Sequence, residues 1–192
     1  MRRSIAGDLA VERERFEKLA LEHLAAVYRL AMQLARHPDG ASDLVQETYV
    51  KALRVSEGFM EQGGGMRPWL FKILQNVFYT SLAKSKRAPV SVDELHAAVA
   101  DDPRPDEPAH AWDLEGLDWE HVDERLKSAV EQLRPEYRSV LLLWGVEGFK
   151  YREIAQIQEI PIGTVMSRLH RARSILADQL ADLAEETGHK QG

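Results

Sequence analysis

Hydrophobic positions recur along the chain at intervals of three and four. Phe16, Leu19, Ala20, Leu24, Val27, Tyr28, Ala31 and Leu34 keep that rhythm, the period of one buried helix face. The run stops at His37-Pro38-Asp39-Gly40, a turn signal. Leu44, Val45, Thr48, Tyr49, Ala52 and Leu53 make a second apolar stripe, with Asp43, Gln46, Glu47, Lys51 and Arg54 on the opposite face. Gly63-Gly64-Gly65 then precedes Pro68, which suits a first helical turn. From Trp69 to about Lys84 the spacing predicts a helix packing Leu70, Ile73, Leu74, Val77 and Phe78. Further helices are predicted near 125–133, 135–145, 151–158 and from 161 to about 185. Alternating β-branched runs bounded by hairpin turns are absent. The pattern predicts an all-α protein.

The last two of these helices form a helix-turn-helix. Ile154, Ala155 and Ile157 give the first one an apolar face, a tight turn follows at Gln158-Glu159-Ile160, and Pro161 opens the second. Ala155 is small enough for two helices to cross closely. Val165, Leu169, Ala172 and Leu176 point inward at spacings of four, three and four, leaving Gly163, Thr164, Met166, Ser167, Arg168 and Arg171 outward. That half of such a helix is the part presented to base edges and phosphates. Gly163 and Thr164 are small, so the helix end, with its free N–H groups, can approach a phosphate. Arg168, Arg171 and Arg173 offer forked donors for phosphate or guanine. A solvated amphipathic hairpin would share the periodicity, but residues 162–175 carry three bases and no acid. Glu159 occupies the turn position often taken by glycine, where a positive φ would strain the backbone by about 1 kcal/mol.

Charge changes the picture once it is split along the chain. The 192 residues hold 25 Lys+Arg and 31 Asp+Glu, a net −6, which is unpromising for a phosphate partner. Residues 93–124, however, contain twelve acids and one base, Arg104, so the rest of the chain carries 24 bases against 19 acids. Residues 67–87 contain five bases and no acid. Local potential governs binding more than the total does. Pro103, Pro105 and Pro108 stiffen the acidic stretch, and Pro89 stands just ahead of it. The expected organisation is a helical domain over 10–90, an acidic linker over 91–124 and a second helical domain over 125–185. With no cysteine, disulfides, thiolate zinc sites and a Cys nucleophile are excluded, and a reducing cytoplasm is expected. The N-terminus lacks the apolar core of a signal peptide, and no apolar run is long enough to span a membrane.

At this point the chain resembles a known family. LRPEYRSVLLLWGVEGFKYREIAQIQEIPIGTVMSRLHRARSIL resembles region 4 of the bacterial sigma-70 family in its extracytoplasmic-function branch. DLVQETYVKAL (43–53) is similar to region 2.2, and RPWLFKILQNVFYTSLAKSKRAP (67–89) to regions 2.3 and 2.4. The resemblance implies a subunit that docks on RNA polymerase core and directs it to promoter DNA, region 2 reading and opening the −10 element and region 4 reading the −35 element. It implies a core-docking face at Asp43, Gln46, Glu47, Lys51 and Arg54. For −10 recognition and melting it implies Trp69, Asn76, Phe78, Tyr79, Lys84, Lys86 and Arg87. Unstacked bases need aromatic platforms beside a cationic track, and an amide such as Asn76 can donate and accept at a base edge. For the −35 element it implies Gly163, Thr164, Ser167, Arg168, Arg171 and Arg173.

Thr80 and Met166 stand where many members carry Asp and Lys. They resemble the subgroup that answers thiol-oxidative stress, whose members are held inactive by a zinc-binding anti-sigma factor. The alternative is a stand-alone helix-turn-helix regulator, but such a protein has no use for a basic, aromatic strand-opening helix. No enzyme is expected: G-x-x-x-x-G-K-[ST] and H-E-x-x-H are both absent. No cofactor or metal is expected either, since His96, His110 and His121 are irregularly spaced.

Overall fold

The computed structural model describes residues 5–56, 59, 65–85 and 124–188, and side-chain environments within 13–84 and 124–179. Every regular element among the described residues is a helix, and the chain divides into two compact units, Met1–Val90 and Ser91–Gly192. The expected acidic linker, with its histidines, lies outside the described residues up to residue 123, as do Lys86, Arg87, Gly63 and Gly64; its last residue, Glu124, is described.

The first unit contains α1 (Ile5–Leu21), α2 (Leu24–Ala35), α3 (Pro38–Arg54) and α4 (Met66–Ser85). The single helix expected over 16–34 is thus two. The Ala20 carbonyl, which would continue the ladder by accepting from Leu24, instead accepts from the His23 N–H at 3.2 Å and the Tyr49 hydroxyl at 2.8 Å. Arg36 ends α2 in the left-handed region (φ 67) and its N–H closes on the Met32 carbonyl. His37 then caps α3: its Nδ1 accepts from the Gly40 N–H at 2.9 Å, while Pro38 occupies the first turn, where it loses no hydrogen bond. Gly40 suits this arrangement because a Cβ there would run into the His37 ring. Phe16, Val27, Leu30, Leu34, Leu44, Leu70, Phe71, Leu74 and Val77 fill the core. Leu24, Tyr28 and Leu53, expected inside, are exposed; the break after α1 rephases α2, and Leu53 falls at the rim of its helix's buried stripe.

Burial pushes the Tyr49 hydroxyl up to about 12 from its ordinary 10, so it remains a donor to Ala20 through the neutral range. Tyr49→Phe is expected to destabilise the protein by about 1 kcal/mol. The raised folded-state value fixes the sign. The contribution is complete below pH 10 and is lost as pH rises toward 12, because ionisation is easier in the unfolded chain. Urea unfolding of both proteins checks this: the difference should be full at pH 8 and shrink above pH 10.

The second unit contains α5 (Glu124–Gln132), α6 (Pro135–Gly145), α7 (Tyr151–Gln158) and α8 (Ile162–Gly188). Every residue of α6 from Arg138 to Gly145 is buried, the mark of a helix enclosed by its neighbours; α7 and α8 pack on it, and α5 packs on α8. Val165, Leu169, Ala172 and Leu176 are all buried, as their spacing predicts.

Candidate functional site

Three helix faces gather the residues nominated by sequence. On α3, Asp43, Gln46, Glu47 and Arg54 are exposed and Lys51 is half-buried. At about 100° per residue they share one side of the helix. Lys51 reaches Glu47 at 3.0 Å across one turn, a surface pair worth only about 0.3–0.5 kcal/mol. Val50 (46% exposed) sits in the middle of this face and Leu53 (38%) at its edge. Sequence reasoning missed Val50 altogether. An apolar centre ringed by charges is how protein-binding surfaces are built.

On α4, Trp69, Asn76, Tyr79 and Lys84 fall on one side, together with Lys72, Ile73 and Thr80. Asn76 and Thr80 are exposed, and the Thr80 hydroxyl donates to the Asn76 carbonyl at 2.6 Å. Trp69 is half-buried, meeting Phe16 at 5.7 Å and Phe59 at 5.2 Å between ring centroids, both edge-on. Phe78 is corrected. It is 7% exposed on the opposite, core side, where its ring leans on Tyr79 at 5.3 Å. A ring inside the core cannot offer its face to a base, so Phe78 buttresses Tyr79. Lys72, absent from the nominated set, joins the face; its spacing of four from Asn76 was the available signal. Residues 66–85 contain no acid, so every charge on this face is positive.

On α8, Gly163, Ser167, His170 and Arg171 lie opposite the buried stripe, with Thr164 and Arg168 at one edge. Gly163, His170 and Arg171 are exposed. The Ser167 hydroxyl donates to the Thr164 carbonyl at 3.1 Å. Arg173 lies on the other flank of this face from Arg168, its guanidinium 5.8 Å from the Trp144 ring centroid. The turn that sets this helix is a Schellman-type close, with Glu159 at φ 55 and the Ile160 N–H reaching the Ala155 carbonyl at 3.1 Å. The left-handed residue foreseen at Glu159 is therefore present. Glu159→Gly is expected to stabilise the protein by about 1 kcal/mol, read as a raised urea midpoint; no gain would mean that the turn carries no strain.

Residues 19–88 match the model of sigma-70 region 2, and residues 123–176 that of sigma-70 region 4. The chain is 33% identical over 174 residues to the ECF RNA polymerase sigma factor SigE of Mycolicibacterium smegmatis, covering 90% of this chain. It spans 64% of that relative's length. It is 36% identical over 169 residues to the ECF RNA polymerase sigma factor EcfG of Rhodopseudomonas palustris, covering 86% of this chain and 87% of the relative. Among solved structures, the sigma factor RpoE of Bartonella quintana, in complex with the anti-sigma factor NepR, aligns with a TM-score of 0.64 and 30% identity over 88% of this chain and 98% of that one.

Proposed function

The chain belongs to the sigma-70 family, in its extracytoplasmic-function branch, and on that footing we propose that it mounts on RNA polymerase core and selects promoters through two separate DNA-reading helices. The observation that carries this is the pairing of two acid-free faces, on α4 and on the first half of α8, with a mixed polar and apolar face on α3. A stand-alone repressor needs only the α8 face. In this reading the α3 face, with Val50 at its centre, docks on the polymerase. Asn76, Tyr79 and Lys84 on α4 engage the −10 element with Trp69, and Gly163, Thr164, Ser167, Arg168 and Arg171 on α8 read the −35 element. Phosphate contacts position the subunit and base contacts specify the site.

The work is binding, with no reaction catalysed by the chain, and it takes place in the cytoplasm; no described helix is long and apolar enough to cross a membrane. Control by an anti-sigma factor is supported by the Bartonella relative, solved with one. The narrower assignment, a thiol-stress subgroup with a zinc-binding inhibitor, is supported by Thr80 and Met166 alone.

In vitro transcription with purified core polymerase across a genomic promoter library tests the proposal. New start sites should appear that core alone does not use, sharing motifs near −10 and −35. Failure to associate with core, or association without new starts, would overturn it.

A further inference from the structure

A polar relay in the second unit runs from the core to the edge of the α8 face. Ser139 on α6 is wholly buried, and its Oγ accepts from Gln158 Nε2 at 2.7 Å. With its nitrogen committed, the Gln158 amide presents Oε1, which accepts from Arg168 Nη1 at 3.4 Å. Gln158 is the last residue of α7, and the left-handed Glu159 with the Ile160-to-Ala155 bond fixes the backbone just after it. The acceptor that holds Arg168 is thus placed by the turn itself. Freezing a long, rotamer-rich side chain on binding costs conformational entropy, and a guanidinium already held loses less of its freedom at that moment. One of its five N–H donors is used by Gln158, which leaves the fork for a ligand. Arg171, one turn on and exposed, has no such tether among the described residues.

We propose that Gln158, anchored by Ser139, is a positioning residue for Arg168: it orients the guanidinium so that it discriminates between base pairs instead of only attracting phosphate. This rests on α8 being the −35 reader. It divides the labour on that helix, with sequence preference residing in Arg168 and general electrostatic attraction in Arg171.

The test uses the full chain loaded on purified polymerase core, with a pool of duplex promoters randomised over the −35 region as probe. Gln158→Met removes both bonds at similar length, Gln158→Glu keeps an acceptor for Arg168, and Arg168→Ala removes the reader. Gln158→Met is expected to reduce discrimination by about 3- to 10-fold at the base pair that Arg168→Ala also affects. The salt dependence of binding should be unchanged, and the double variant should be no worse than Arg168→Ala alone. Gln158→Glu should restore most of the preference. Additive effects, or weaker binding to all sequences alike with a lower melting temperature, would overturn the positioning role. If Arg168→Ala itself leaves every base preference intact, α8 is not reading through Arg168, and both the relay's role and that part of the proposed function fall.

Discussion

Leu169→Ala is expected to destabilise the second unit by about 2–5 kcal/mol, a large share of the 5–15 kcal/mol typical of a whole domain. Leu169 is 1% exposed on the inward stripe of α8, the helix on which α5, α6 and α7 all pack. Truncation leaves a cavity at that junction, lined by helices that cannot collapse without shifting one another. Urea unfolding should show an early transition for the second unit. In transcription assays the variant should lose its dependence on the −35 element, while association with polymerase through the α3 face is retained. An unchanged unfolding curve would mean that α8 is not the spine of this unit.

Arg168→Ala and Arg171→Ala come next in size, at about 1–3 kcal/mol of promoter affinity for a residue that reaches a base. The two should differ in kind. A base contact relaxes preference at one position, whereas a phosphate contact weakens binding to all sequences and lowers the salt slope by about one. Binding of the loaded polymerase to matched and mismatched promoters at several salt concentrations separates these outcomes. Preserved −35 preference in both variants would move recognition off this helix.

Helix positions were legible where punctuation and period agreed. Pro161 and the inward spacing from Val165 to Leu176 marked the helix-turn-helix closely, and even the awkward Glu159 could be seen in advance. The break between α1 and α2 was not legible, because the three-and-four rhythm passes through Glu22-His23 without a glycine or proline. At the break the Ala20 carbonyl is held by Tyr49, a hydroxyl supplied from 29 residues away. The inward turn of Phe78 was readable from its spacing, against the role the resemblance implied for it, whereas that of Phe71 was hidden. That helix is apolar over more than half its circumference, so Phe71 became a core residue only when α2 and α3 closed over it. Arg173 and Arg168 fall on opposite flanks of the α8 face, a separation that nearness in sequence does not reveal. The Ser139–Gln158–Arg168 relay joins three helices and left no trace in local pattern.

The α8 helix carries its core stripe and its exposed face on one continuous rod, and the two sets of side chains do not overlap. Substitution at 163, 167 or 171 leaves the packing of Val165, Leu169 and Ala172 untouched. Such a scaffold can acquire a new vocabulary without renegotiating its own stability, which is the circumstance under which duplicated copies diverge to govern different sets of genes.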